Sequence, residues 1–148
     1  MSIISAIQTY LKTYSDLKTG APVWVDYLGD APTEYTIIPL AGGRVIEEYI
    51  TGKTRREYPF AFQSTESTAD DLERLETQGF YEAFADWLDD QTESGNLPSL
   101  GEGKSAEAIA ATGWGYLFQQ GESQTGIYQI QCRLIYTQEP YKEELGSS

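Results

Sequence analysis

The strongest pattern in the chain is the alternation of apolar and polar positions in GIYQIQCRLIYT. It puts Tyr128, Ile130, Cys132, Leu134 and Tyr136 on one side and Gln129, Gln131 and Arg133 on the other, the period of two of a strand. GRVIEEYI and RREYPFAFQS alternate in the same way around Thr51-Gly52-Lys53, which predicts a long hairpin from Gly43 to Ser64. In its second arm Arg56, Tyr58, Phe60 and Phe62 share one face, with Glu57, Ala61 and Gln63 on the other. Pro59 lies inside that arm and predicts a sheet edge there, where no ladder hydrogen bond is lost. Two shorter strands are expected, one from Val23 to Tyr27 closed by Gly29-Asp30, the other from Glu34 to Leu40.

Helical spacing appears in two places. Ser2 can cap a helix in which Ile3, Ile4, Ile7, Leu11 and Tyr14 form one apolar stripe, ending before Gly20-Ala21-Pro22. A longer helix is expected from Thr68 to about Ser94, with Thr68 and Asp71 resembling a capping box and Gly95-Asn96-Leu97-Pro98 as its stop. At ~100° per residue, Leu72 and Leu75 lie well round the helix from Phe80, Ala83, Phe84 and Trp87. Gly79 between the two sets predicts a kink or a change of partner. After the loop PSLGEGK the segment is mixed: SAEAIAA admits a helical turn but is read as strand or extended chain, Trp114, Tyr116 and Phe118 share a face, and GESQTG forms a hairpin loop. The expected fold class is α+β: one domain over 1–139, with a largely antiparallel sheet of about five strands. An N-terminal helix and a long central helix pack on one face, and 140–148 form a flexible polar tail.

Composition narrows the partners. The length of 148 residues fits one domain, and 40% hydrophobic content with 11 Tyr, 5 Phe and 3 Trp is a folding composition. Twenty-three acids against 10 cations give a net charge of −13, which repels phosphate backbones and anionic membranes. No nucleic acid and no membrane partner are therefore expected. No stretch approaches the ~18 apolar residues of a membrane span, and no charged leader precedes an apolar run. Cys132 is the only cysteine, so no intrachain disulfide forms and a buried inert thiol in a reducing cytoplasm is expected.

The chain has no histidine. Ser-His-Asp and Cys-His activation, His-containing zinc sites and His proton relays are thereby excluded, leaving carboxylate, Lys or Tyr chemistry. No P-loop, dinucleotide fingerprint, nucleophile elbow or EF-hand loop is present, and the glycine pairs of GWG and LAGG carry no diagnosis. The remaining candidate is the acidic run around FADWLDD. There Glu82, Asp86, Asp89 and Glu93 fall at spacings of 4, 3 and 4 along one stripe, opposite Phe80, Phe84 and Trp87. A solvated face is the expected reading, a docking stripe for a basic neighbour the second. A divalent metal ranks last, because hard cations need oxygens converging from several directions. Neither a cofactor nor a catalytic residue is assigned. Three of the ten cations, Lys53, Arg55 and Arg56, cluster in GKTRRE beside Tyr58. Such a turn is ordinarily solubilising, yet it is the feature selected for a subunit contact, since Arg is enriched at interfaces. The strand tyrosines are expected to pack in the sheet rather than stack on sugars or bases.

Read as an ordered set, PVWVDYLGDAPTEYTIIPL, REYPFAFQSTES, GFYEAFADWLDDQ, GNLPSLGEGKSAEAI and YQIQCRLIYTQE resemble a family of small proteins of tailed phages and prophages of Gram-positive bacteria. Members of that family are called minor capsid proteins, and the resemblance spans Val23 to Glu139. It carries no catalytic signature and so implies no enzyme. Proteins of this size and pattern in that setting are similar to tail terminators and tail-completion proteins. These form a ring, commonly of six subunits, at the head-proximal end of the tail tube. The implied partners are further copies of the chain and other tail or neck proteins. The implied location is the host cytoplasm and then the virion tail or neck. Two other classes remain open: a small carboxylate- or metal-dependent hydrolase using Glu82, Asp86 and Asp89, and an acidic accessory protein that binds a host factor.

Overall fold

A computed structural model describes residues 2–17, 21–26 and 34–140. The expected end of the first strand at Tyr27, its closing Gly29-Asp30, the Gly20 stop and the tail after Pro140 lie outside the described residues. The elements in chain order are α1 (Ile3–Leu11), β1 (Val23–Val25), β2 (Tyr35–Pro39), β3 (Arg44–Glu48), β4 (Thr54–Ser67), α2 (Asp71–Ser94), β5 (Lys104–Ala111), β6 (Tyr116–Gln120) and β7 (Thr125–Gln138).

The two long alternating segments, β4 and β7, pair antiparallel without interruption from Thr54↔Gln138 to Ser67↔Thr125. Every other strand is arranged around this ladder. β2 and β3 lie in tandem along the other side of β4, and β5 and β6 lie in tandem along the other side of β7. β1 pairs parallel with β2, so the sheet is mostly rather than wholly antiparallel. Seven strands are thus arranged five positions wide, in the order β1-β2-β4-β7-β5. Two of those positions are interrupted at glycine-containing segments, Leu40–Gly43 and Thr112–Gly115, so the sheet holds seven strands where about five were expected.

Pro59 sits in the central strand β4, not at an edge. It pairs with Arg133 of β7 on one side, while on the other Leu40 N donates to Pro59 O over 3.0 Å. The reciprocal N–H is the one a proline lacks. It falls at the gap where β3 pairing has ended at Glu57 and β2 pairing starts at Phe60, so little ladder is lost.

Register decides which side chains meet the helices. Phe60, Phe62 and Ser64 of β4 face the helix layer together with Tyr35 and Ile37 of β2 and Tyr128, Ile130, Cys132 and Leu134 of β7; all nine are buried. Phe62 is the hub: its ring lies 4.7 Å from Phe84, 5.5 Å from Tyr35 and 6.2 Å from Tyr81. Pairs of this kind add ~0.5–1.5 kcal/mol beyond their burial. Trp87 bridges the helices, 5.4 Å from Tyr10 and 4.8 Å from Tyr14 of the α1 side. Burial pushes the Cys132 thiol up, which keeps it the inert thiol the pattern implied.

The helix ends differ in detail from the sequence signals. Ser2 caps α1 as expected, accepting from Ser5 N. The helix stops at Leu11 because Thr13 Oγ1 donates to Tyr10 O at 2.6 Å and the following amides bond three residues back. The cap of α2 is Asp70 rather than Thr68, with Asp70 Oδ1 accepting from Glu73 N at 2.9 Å. At the far end Gly95 adopts φ 78°, the left-handed conformation a C-cap needs. α2 runs unbroken through Gly79, with neither the kink nor a second packing partner expected there: Leu72 and Leu75 before it are exposed, whereas Tyr81, Phe84, Ala85 and Leu88 after it are buried.

Two features test this packing. Gly115 passes so close to α2 that a methyl group there would sit 2.6 Å from Tyr81 Cγ. Tyr81 cannot retreat, since it is fully buried and its hydroxyl bonds Ser64 Oγ at 2.6 Å and donates to Tyr128 O at 3.2 Å. Gly115→Ala is expected to cost about 1–3 kcal/mol, whereas Gly113→Ala, with open space around it, is expected to stay within ~0.5 kcal/mol; urea denaturation measures both.

The second test is alkaline. Burial raises the Tyr10 phenol from its ordinary value of 10.0 to about 12. Burial, then the neighbouring Asp16, raises Tyr14 further, and burial also raises Tyr81 and Tyr128. These groups stay protonated in the fold after the unfolded chain has begun to ionise. Their contribution to stability should therefore be fully present below pH 10 and be lost as pH rises from 10 through about 12, which urea midpoints recorded across that alkaline range will show.

Candidate functional site

The acidic stripe and the basic turn both reach the surface, at separate places. Glu82, Asp86, Asp89 and Glu93 are all exposed on α2. Thr92 fixes the helix against β5: its hydroxyl donates to Ile109 O at 2.7 Å and accepts from Ile109 N at 3.0 Å. This clamp brings Asp86 and Asp89 opposite the Thr112–Gly115 interruption. Together with Ala85, Ala111 and Trp114 they line a concavity of about 290 Å³. Glu82 and Glu93 do not line it. Trp114 is 75% exposed at the rim, and Tyr116, Leu117 and Phe118 continue the exposed apolar surface along β6. Of the single face expected for Trp114, Tyr116 and Phe118, the last two do lie together, their rings 6.4 Å apart, although a bulge between Leu117 and Gln119 leaves Phe118 as the extra residue of the strand.

The cations are distributed over the β3–β4 hairpin. Arg55 lies on the sheet face away from the helices, and its Nε donates to Glu107 Oε1 at 2.7 Å. Glu107 is the residue skipped by the β5–β7 register between Ala106 and Ala108. Arg55 is thus paired inside its own molecule, and nearby Glu57 takes Arg44 at 3.5 Å and Arg133 at 3.3 Å. Arg56 projects to the helix side of the sheet and its Nε donates to Thr54 Oγ1 at 3.0 Å. Tyr58 is half-buried, and burial, then Asp26, pushes its phenol up. Among the described residues neither Lys53 nor Arg56 joins an ion pair. At the tip, Tyr49 N donates to Lys53 O at 2.9 Å and leaves Ile50 wholly in solvent, at 107% relative exposure. Sequence periodicity assigned Ile50 to a strand arm; only the position of the turn exposes it.

The two sets therefore do not form one site in a single molecule. The tip begins where Thr54 pairs with Gln138, and the concavity sits where Ala111 pairs with Cys132. Six residues along β7 separate them, roughly 20 Å at the rise of a strand. A second concavity of about 210 Å³ lies near the start of α2, lined by Asp16, Glu66, Glu73 and Glu76 with Tyr35 and Phe80. Both concavities fall below the roughly 300–1,000 Å³ of small-molecule sites. Among the described residues no group of three or more His, Cys, Asp or Glu side chains is placed to hold a metal ion. No helix among them is long and apolar enough to cross a membrane.

The acids of α2 also oppose its dipole, because the last turn holds no basic residue while Asp90 and Glu93 approach the negative end. Glu93→Lys is expected to stabilise the isolated subunit by about 0.5–1 kcal/mol, combining dipole and like-charge relief, and a urea midpoint that falls instead would contradict it. No protein-family model and no curated protein sequence matches the chain.

Proposed function

We propose that the chain is a virion structural protein of the phage tail or neck, a tail terminator or tail-completion protein that acts by assembling into a ring with copies of itself. One observation carries this reading: a single subunit bears two unlike surfaces on different parts of the molecule. One is an acidic concavity rimmed by an exposed indole, the other a hairpin on which Lys53 and Arg56 stay outside the ion pairs formed among the described residues. Contacts between unlike patches are heterologous, and when their rotation closes they make rings. The exposed run from Trp114 to Phe118 adds apolar surface of the kind that marks association sites. The resemblance of the ordered sequence phrases supplies the setting, including the expectation of six subunits, of neighbouring tail or neck proteins, and of a path from host cytoplasm to virion.

The same geometry supports the reading as a non-enzyme. Asp86 and Asp89 do border a concavity, as a carboxylate-dependent hydrolase would require, but both are exposed and Glu82 stands apart from them. A catalytic pair calls for burial or a neighbouring charge that separates the roles of its two acids.

Electron microscopy of the purified protein at high concentration, and of virions labelled with an antibody to it, tests the proposal. A ring, placed at the head-proximal end of the tail, is the expected image. A protein absent from virions and monomeric both alone and with purified tail tubes would remove the proposal.

A further inference from the structure

We infer that the tip of the β3–β4 hairpin of one copy docks into the concavity between α2 and the Thr112–Gly115 segment of the next, with Ile50 against Trp114 and Lys53 beside Asp86 and Asp89. The inference rests on the ring-assembly reading and names its contact. Three observations converge on it.

The first is charge. α2 carries eight acids against one arginine, whereas residues 43–58 carry four cations against three acids, which makes the hairpin the least acidic projecting element of a chain at −13. Of those hairpin charges, Arg55, Arg44 and Glu57 are paired within the sheet, Glu47 accepts from Tyr49 Oη at 2.9 Å, and Glu48, Lys53 and Arg56 join no ion pair among the described residues, with Glu48 and Arg56 on the strands. Lys53, in the turn itself, is left to face a partner. Complementary charge of this kind sets the register and encounter rate of a contact more than its strength.

The second is shape. Ile50 is the most exposed large apolar residue of the described chain and stands alone at a tip, while the concavity has an alanine floor at Ala85 and Ala111 and an exposed indole at its rim. Its volume of about 290 Å³ suits side chains better than a drug-sized ligand. Exposed apolar side chains continue along β6, Leu117 on the side of helix-facing Tyr128 and Tyr116 with Phe118 on the other.

The third is reach. The hairpin is held in the sheet by β4, with its tip roughly 20 Å from the concavity of its own molecule, so it cannot fold back to fill it. The occupant must come from another copy, and because tip and concavity are different patches the contact propagates head to tail.

Cysteine cross-linking of the full chain decides the matter. Ile50→Cys and Asp89→Cys place thiols on exposed positions, and the native Cys132 is buried away from oxidant. Mixing the two single variants under mild oxidation should give a covalent dimer, and the double variant I50C/D89C a ladder of multimers. Lys53→Glu should weaken assembly roughly five- to tenfold, and Asp89→Lys combined with it should restore most of the loss, while each variant keeps the wild-type far-ultraviolet spectrum. If oligomers form but I50C/D89C gives no ladder and the charge swap no rescue, the contact is overturned and ring assembly stands. If neither oligomer nor cross-link appears, alone or on tail tubes, both fall.

Discussion

The unbroken β4–β7 ladder is the constraint on which the rest of this molecule depends. Fourteen residues from each strand are locked in one register, so the alternation of each sequence is converted into a fixed assignment of faces. A slip of one residue would carry Phe60, Phe62, Ile130 and Leu134 to the opposite face and leave the helix layer without a surface to cover. Around this pair the remaining strands are short, from three to eight residues. β2 and β3 complete one side, β5 and β6 the other, and each tandem is broken at glycines where the edge must turn away. The same register seats Pro59 in a central strand without harm, because its missing donor coincides with the change from one short neighbour to the other.

The helix layer reads that surface through aromatic rings. Phe62 meets Tyr35, Phe80, Tyr81 and Phe84, and Trp87 carries the packing on to Tyr10 and Tyr14. Because α2 presents these groups from its middle turns, it is anchored near its centre and by Thr92 at its far end, while Leu72 and Leu75 at its start remain exposed. The buried hydroxyl of Tyr81 is satisfied by Ser64 and the Tyr128 carbonyl, so these polar groups within the core cost little. Gly115 then lets the β5–β6 connection pass over Tyr81, and that passage shapes the wall of the concavity.

Electrostatics act in the opposite direction from packing. A helix with eight acids and no cation in its last turn is less stable alone than its length allows, and the stripe of Glu82, Asp86, Asp89 and Glu93 adds like-charge repulsion at every step. Water and salt make this tolerable on an exposed face. A basic partner would relieve it, which is why the acidic face is more informative about association than about catalysis. Arg55 illustrates the other side of the argument: a cation that looks available in the string GKTRRE is paired with Glu107, fifty-two residues away in sequence.

What the sequence determined by itself was whatever depends on local period and on composition. The strand alternation in 126–137, the hairpin around Gly52, the cap at Ser2, the stop at Gly95, the buried state of Cys132, the α+β class and the absence of histidine chemistry are properties of neighbouring residues or of counts. What only the tertiary structure decided depends on which segments lie side by side. These include the central place of Pro59, the parallel pairing of β1, the close approach at Gly115, the internal pairing of Arg55, and the meeting of Asp86 and Asp89 with Trp114 across a gap of more than twenty residues. No periodicity encodes such encounters, because they are set by register across the sheet and by where a chain turns. The acidic stripe was therefore legible as a stripe, while the concavity beside it became visible only once α2 and β5 were packed together.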